Sequence, residues 1–380
     1  MTLPISLVAS ADELSAAVER LARVPRIAID IESNGLFKYR ATLCTIQLAS
    51  PEEVVVVDPF ATPIDALGPL LATTGPRKIV HDVAFDARIL AESKIALGNV
   101  LDTSVAARML GRQATGLASL MKELGVDLDK KLQHHDWTQR PLREAEVRYL
   151  ADDVVHLEAL ATKLETELEA AGIAEAVEEE TRYRLAQAIA AAGTVDPRPP
   201  WVRLKGVDRA PKTDWPILRE LAAIREEHAR KLDVPPYKVI GPDLLFAIAK
   251  AKPRSRGDLE RIKGATSGSR ARAIAPAMLR AIDAEPVPEA ELAFLEKPRL
   301  APALVKARRA RESRLTSWRK AEAKARGIDE QVVLPGHCLQ DLADLETTEP
   351  GALATVPGLG AFRIERDGEA LLRALAEPPT

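Results

Sequence analysis

The sequence predicts an α/β domain built on a mixed sheet, followed by two copies of a small all-helical module. Three strand-like runs within the first 60 residues, with helical patterns around them, indicate the sheet domain. A proline-rich segment at 195–201 marks a boundary, because proline cannot continue a helix. Beyond that segment strand patterns nearly vanish and an internal repeat begins.

The first predicted element is a helix that starts after Ser10, where Ser10 and Glu13 form a capping box, and ends near Pro25. The later elements of the domain are strands at 26–33, 43–49 and 53–58, a helix at 63–72, a short strand at 77–81, a helix at 84–91, several shorter helices, a polar stretch at 133–142, and one long helix from 143 to about 171.

The all-helical part contains a repeat with a shift of 94 residues, which aligns 225–264 with 319–358 without a gap. Apolar positions fall on apolar positions, and Gly264 falls on Gly358. Glycines at matching turns indicate one backbone design used twice. We therefore predict a catalytic domain at 1–195, a linker at 196–211, a first helical module at 212–290, and a second, more divergent module at 298–380.

The composition is that of an ordinary globular chain, with 46% hydrophobic and 29% charged residues. Because we see no secretory signal and no apolar run of roughly 18–20 residues, we expect a cytoplasmic protein without membrane contact. Two distant cysteines fit reducing conditions and no zinc site. Residues 1–200 carry 21 Lys and Arg against 30 Asp and Glu, so the basic excess lies in the second half. That asymmetry favours a polyanionic partner.

Asp30 and Glu32 are separated by one residue in a predicted buried strand. Both side chains therefore project from the same face of the strand, about 6–7 Å apart. Two uncompensated charges there would be costly, and a bound divalent cation reverses that cost. Asp86 follows at a strand–helix junction, and Asp153 lies in a later helix with Tyr149 on the same face. The last three residues have ordinary alternatives. Asp86 could be a carboxylate at the start of a helix, Asp153 a solvated carboxylate, and Tyr149 a half-buried aromatic residue.

Four carboxylates can hold two hard cations, and two such ions about 3.5–4 Å apart catalyse phosphodiester hydrolysis. One ion lowers the pKa of the attacking water, while the other stabilises the leaving oxygen. A tyrosine hydroxyl one helical turn from a ligand can orient that water. Asp152 adjoins Asp153, but the four-residue spacing from Tyr149 favours Asp153 as the ligand. We expect two divalent ions, Mg²⁺ or Mn²⁺, and no organic cofactor.

The ordered motifs resemble those of the DEDD superfamily of 3′–5′ exonucleases, in the branch whose third motif is Tyr-x-x-x-Asp. Within it, segments 43–48, 136–142 and 201–206 look like the ribonuclease D family. The helical repeats look like helicase-and-RNase-D C-terminal (HRDC) domains. The resemblance implies a ribonuclease H-like sheet and a metal-dependent 3′–5′ exoribonuclease. Its expected substrates are single-stranded 3′ ends of structured RNA such as tRNA precursors, cut to nucleoside 5′-monophosphates.

In this scheme Asp30, Glu32 and Asp153 bind the catalytic ion, and Asp30 bridges to the second. Asp86 supports the second ion, partly through water, and Tyr149 positions the nucleophile. Ile31 stands between the first two acids where the family more often has Thr, but it points to the opposite face, so ligation should survive.

Four further residues are expected to bind substrate: Phe85, Gln47, Trp137 and Arg140. Phe85 would pack against the terminal base, and Trp137 with Arg140 would approach the 3′ end. A place in the core is the alternative for Trp137. Cations cluster in both modules and would contact the RNA backbone, although solvated helix faces are the simpler alternative.

Two other functions remain open from the sequence. A DNA 3′–5′ exonuclease would share all four acids. A non-catalytic RNA-binding protein on a nuclease scaffold would be expected to have lost at least one acid, and none is missing.

Overall fold

The computed structural model describes residues 3–295, 301–345, 347 and 349–376. The chain divides into two compact units. The first is formed by Met1–Glu32, Leu43–Gly193 and Leu300–Thr380, and the second by Ser33–Thr42 and Thr194–Arg299. The predicted domain limits at 1, 298 and 380 lie outside the described residues.

A mixed sheet forms the centre of the first unit, which confirms the predicted fold class. Its strands, in the described part of the chain, are β1 (Ile5–Val8), β2 (Arg26–Ser33), β3 (Leu43–Ala49), β4 (Val54–Val57), β5 (Arg77–Val80) and β6 (Val100–Asp102). Their order is β1-β4-β3-β2-β5-β6. Strand β3 runs antiparallel to β4, whereas the pairs β1–β4, β2–β5 and β5–β6 are parallel. Every residue of β3 and β4 is buried, so their apolar runs show no alternation.

Helices cover this sheet: α1 (Ala11–Leu21), α2 (Leu67–Leu71), α3 (Val83–Glu92), α4 (Thr103–Met109), α5 (Leu117–Lys122), α6 (Glu144–Val155), α7 (Leu157–Ala171) and α8 (Ala174–Ala191). The single helix predicted from 143 to 171 is wrong, because the backbone breaks at His156. There φ and ψ are −102° and −4°, which ends α6 and starts α7. Leu150 of α6 is buried with Trp137, whereas Leu157 of α7 is buried in the core that contains Ala28 and Ile79.

Between residues 194 and 295 the second unit contains the helices α9 (Trp215–Lys231), α10 (Pro242–Ala251), α11 (Arg256–Arg261), α12 (Gly268–Arg280) and α13 (Glu289–Leu292), and no strand. Its core is formed around Trp201 and Trp215. The segment 33–42 belongs to this unit, since the Tyr39 hydroxyl donates to Glu226 Oε1 at 2.6 Å and Lys38 pairs with Asp233 at 2.7 Å.

The second helical module contains α14 (Pro302–Arg326), α15 (Glu330–Val333), α16 (Gly336–Asp344), α17 (Pro350–Leu353) and α18 (Ala361–Ala376). Gly264 and Gly358, which the repeat aligns, both have left-handed backbone, with φ of +93° and +77°. The second module is part of the first unit, and Val332 is buried in the same core as the sheet residues Ala28 and Ile79.

Helix α8 joins the sheet domain to the second module through a buried charge. Glu179 is 7% exposed, and its Oε1 accepts the Phe362 N–H at 2.9 Å. Arg363 is fully buried, with Nη1 3.6 Å from Glu179 Oε2. Among the described residues, no helix has both the length and the apolar character to span a membrane.

Candidate active site

Strand β2 presents Asp30 and Glu32 on one face of the sheet. The intervening Ile31 is 4% exposed and Ile29 is 1% exposed, whereas the two acids are only partly buried. The alternation expected of a strand therefore holds, and the isoleucines are buried in the core while the carboxylates face a more open space. A central strand fixed on both sides is a rigid support for such a pair.

Helix α6 brings Asp153 to this pair. One carboxylate oxygen from each of Asp30, Glu32 and Asp153 lies within 4.8 Å of the other two. The neighbouring Asp152 is exposed and is not part of the cluster. Of these two adjacent acids, only Asp153, four residues after Tyr149, belongs to the cluster.

Asp86 is in the first turn of α3 and is 6% exposed. It stands outside the 4.8 Å cluster, and its charge is, after burial, the next cause that raises the pKa of Asp30. Its Oδ2 is buried and finds no hydrogen-bond partner among the described residues. A buried carboxylate oxygen without a donor is costly unless a cation or an ordered water meets it.

Burial and mutual repulsion raise the pKa values of the acids. Burial, then the charges of Asp86 and Asp153, raise the pKa of Asp30 well above its usual range. Burial and next Asp153 raise the pKa of Glu32 to about 8, and burial with Asp152 raises the pKa of Asp153 to about 7. A divalent cation would remove this repulsion, and oxygen-only ligands suit Mg²⁺ or Mn²⁺. The residues present therefore fit such an ion.

Trp137 supports this cluster from within the core. It is 1% exposed, and a hydrogen bond from its side chain to Glu32 lowers the pKa of that acid against the larger effect of burial. Its ring packs against Tyr149, with centroids 5.8 Å apart. Burial, then the charge of Asp153, raise the pKa of Tyr149, which keeps its hydroxyl protonated beside the acids. The structure thus places Trp137 in the core, next to Glu32 and Tyr149.

The other expected substrate contacts differ in exposure. Phe85 is 43% exposed, so its ring is accessible. Gln47 is buried, and its Nε2 donates to Thr45 Oγ1 at 2.6 Å. Arg140 binds Asp58 through two hydrogen bonds of 2.5 and 2.9 Å and donates to the Cys44 carbonyl at 2.8 Å. Substrate contact stays a prediction for all three.

Sequence reasoning missed Asp102, a fully buried acid at the end of β6. Its carboxylate caps α4 by accepting from the N–H groups of Ser104 and Val105. The available signal was the run Asp102-Thr103-Ser104, which contains good N-cap residues, but β6 itself is only three residues long.

Many of the cations expected to bind RNA have acidic or carbonyl partners within the modules. Arg254 pairs with Asp283, and Lys252 pairs with Asp214 at 3.2 Å. In α14 the Arg311 side chain donates to the carbonyl of Ala343 at 2.8 Å. These contacts hold helices together, and they leave fewer cations available for a polyanion than the sequence suggested.

Comparison with known proteins agrees with this geometry. A family profile described as a 3′-5′ exonuclease matches residues 5–169, and the HRDC domain profile matches residues 216–282 and 308–375. The crystal structure of Escherichia coli RNase D, described as an exoribonuclease involved in structured RNA processing, superposes with a TM-score of 0.69 at 26% identity over 100% of both chains. The chain is therefore a 3′–5′ exonuclease that carries two HRDC domains.

Two curated relatives narrow this class. Ribonuclease D of Gluconacetobacter diazotrophicus is 33% identical over 79% of this chain and 78% of its own length. Ribonuclease D of a Jannaschia species is 30% identical over 97% of this chain and 96% of its own. The chain belongs to the ribonuclease D family and is a divalent-metal-dependent 3′–5′ exoribonuclease that acts on RNA.

Proposed function

We propose that this exoribonuclease removes nucleotides from single-stranded 3′ ends of structured RNA, such as tRNA precursors, by two-metal-ion hydrolysis that releases nucleoside 5′-monophosphates. The observation that carries this proposal is the cluster of three carboxylate oxygens within 4.8 Å. The unpartnered buried oxygen of Asp86 beside it supports a second ion. The description of the Escherichia coli relative supports the choice of structured RNA.

In the proposed mechanism Asp30, Glu32 and Asp153 would hold the catalytic ion, and Asp30 would also help to hold the second. Asp86, set back from the cluster, would hold the second ion partly through water. When bound, the ions lower the pKa of the attacking water and stabilise the leaving 3′ oxygen.

The remaining work is done by neighbouring side chains. The Tyr149 hydroxyl, four residues before Asp153 on α6, orients the water for attack in line with the bond to be broken. The Trp137 side chain keeps Glu32 in position through its hydrogen bond. The accessible ring of Phe85 would stack on the terminal base. Trp137, Arg140 and Gln47 remain proposed substrate contacts, and for Trp137 and Gln47 that contact would require more exposure than the structure gives them.

The test uses an RNA hairpin with a short single-stranded 3′ extension, the same hairpin with a blunt end, and DNA of identical sequence. With Mg²⁺ or Mn²⁺ we expect the RNA extension to be shortened one nucleotide at a time, with nucleoside 5′-monophosphates identified by mass spectrometry. The blunt hairpin should resist, and EDTA should abolish the reaction. Faster degradation of the DNA, or nucleoside 3′-monophosphate products, would contradict the proposal.

We also infer that the protein works in the cytoplasm. Neither Cys44 nor Cys338 forms a disulfide, and both are buried. Burial raises the pKa of each thiol to about 12, as expected of cysteines that stay reduced and inert.

A further inference from the structure

The start of helix α3, which carries Asp86, has an unusual geometry. Its N-cap residue Asp82 has left-handed backbone, with φ and ψ of +66° and +68°, and its side chain makes no capping hydrogen bond. Residues with a Cβ adopt this conformation at some cost, and Asp tolerates it better than most, so contacts from its surroundings stabilise the turn. The direction in which α3 leaves strand β5, and hence the position of Asp86 one turn later, depends on what holds this turn.

The side chain of Asp102 holds it. Asp102 ends strand β6 directly beside Val80, the last residue of β5. Its Oδ1 accepts the Asp82 N–H at 3.1 Å, and its Oδ2 accepts the Val83 N–H at 2.9 Å. The same Oδ1 also accepts from Ser104 and Val105 of α4, at 2.8 and 3.2 Å. One buried carboxylate therefore caps two helices, and it supplies the cap that Asp82 does not make for itself.

A second contact ties the same corner together. The His81 imidazole lies with Nδ1 2.9 Å from Thr103 Oγ1, and the Thr103 hydroxyl donates to the Val80 carbonyl at 3.1 Å. These two bonds join the end of β5 and the residue that follows it to the first turn of α4.

We propose that Asp102 is a positioning residue for Asp86. It fixes the left-handed turn at Asp82, and through that turn it holds the Asp86 carboxylate in place beside the cluster of Asp30, Glu32 and Asp153. This inference rests on the proposed function, in which Asp86 supports the second ion. Residues that orient metal ligands typically change metal affinity by about 10–100-fold when they are replaced.

The test compares two variants of the full chain with a matched control. Asp102→Asn keeps the size of the side chain but places an amide NH₂ against the Val83 N–H. Asp102→Ser keeps an N-cap oxygen for α4 but is too short to reach Asp82 and Val83. Glu179→Gln is the control, since Glu179 is also a buried carboxylate that accepts a backbone N–H, but it lies at the second module.

Two quantities are measured without RNA: hydrogen exchange at the amides of residues 82–87, and Mn²⁺ binding by calorimetry. The third, measured with RNA, is the Mn²⁺ concentration that gives half-maximal hydrolysis. We expect both Asp102 variants to exchange about tenfold faster in this segment and to need about tenfold more Mn²⁺, with activity recovering at high Mn²⁺. Glu179→Gln should change none of the three quantities.

Unchanged exchange and Mn²⁺ affinity in a folded Asp102 variant would overturn the inference, as would an equal shift in Glu179→Gln. If Asp102→Asn does not fold, Asp102→Ser decides, because its α4 cap is retained. Asp86→Ala separates the two proposals: if that variant binds Mn²⁺ and degrades RNA like the native chain, the proposed function fails, whatever the exchange at Asp82 shows.

Discussion

The rings of Tyr183 and His337 stack with their centroids 4.1 Å apart and their planes 7° from parallel. Tyr183 belongs to helix α8 of the sheet domain, and His337 belongs to α16 of the second helical module. The stack lies under Gly358, where an added Cβ would be 2.6 Å from His337 Nε2 and 2.7 Å from Tyr183 Cδ2. The left-handed turn of the module is therefore fitted closely over these two rings.

Gly358→Ala should loosen this contact. The left-handed backbone costs about 1–2 kcal/mol for a residue with a Cβ, and the clash adds about 1–3 kcal/mol. We expect a lower melting temperature of the first unit by calorimetry and faster proteolysis of the second module. Gly264→Ala is the control, since the equivalent turn there has φ of +93° but its Cβ would meet only the Leu244 side chain, at 3.3 Å. If Gly264→Ala lowers the melting temperature of the second unit by as much as Gly358→Ala lowers that of the first, this account is wrong.

Asp153→Asn should lower kcat for RNA by more than about 100-fold, because an amide binds a hard cation poorly and removes one charge from the cluster. Asp152→Asn is a close control, as the adjacent carboxylate is exposed and outside the cluster. Initial rates on the 3′-extended hairpin at several Mg²⁺ concentrations give the comparison. A larger loss of kcat in Asp152→Asn than in Asp153→Asn would show that Asp152, and not Asp153, is the metal ligand.

Tyr149→Phe should lower kcat by about 10²-fold, within the range of a group that handles a proton or orients a water. Mn²⁺ affinity should stay the same, because the hydroxyl is not a ligand in the proposed site. Single-turnover hydrolysis and calorimetry with Mn²⁺ measure the two quantities separately. Weaker Mn²⁺ binding with an unchanged kcat would show instead that Tyr149 supports the ligands.

Trp137→Phe keeps an aromatic ring against Tyr149 and removes the donor to Glu32. We expect the Mn²⁺ requirement to rise about tenfold while KM for RNA changes little. The opposite result, a raised KM at an unchanged Mn²⁺ requirement, would support direct contact between Trp137 and the substrate.

Lys78 makes stability depend on pH. It is fully buried in β5, its Nζ donates to the Ala72 carbonyl at 2.6 Å, and burial lowers its pKa to about 8. Between pH 8 and its ordinary pKa near 10.5 the unfolded chain binds more protons, so the free energy of unfolding should rise with pH. Relative to Lys78→Met, the native chain should gain up to about 3 kcal/mol over this range in urea unfolding. If the difference in the free energy of unfolding between the native chain and Lys78→Met is the same at every pH, Lys78 is not the cause of the pH dependence.

The sequence predicted well the features that depend on local pattern. Strands β2 and β3 match their predicted limits because buried apolar runs define them. Strand alternation predicted that Asp30 and Glu32 share a face, whereas the placing of Asp153 with them rested on the metal chemistry and on the order of the motifs. Short elements contain too few residues to show a pattern, so β1 and β6 were missed. Because Asp102 ends β6, its role was missed as well. The break at His156 has no proline or glycine to mark it, so the residue order carries no signal for it.

The orientation of Trp137 also lay beyond sequence reasoning. The residue is near the third motif in the chain, which suggested contact with the substrate. Whether an indole at that position faces solvent or the core depends on how 133–142 packs against β3, and nothing in the residue order specifies that packing.

The burial of Val332 in the core of the sheet domain affects how the enzyme is made. Ala28 and Ile79 emerge from the ribosome about 250–300 residues before this partner. At roughly 5–20 residues per second, the nascent sheet waits on the order of 10–60 seconds with that side of its core open. A ribosome that stalls before α15 would therefore release an incomplete catalytic unit. The core of the catalytic unit is thus completed only near the end of translation.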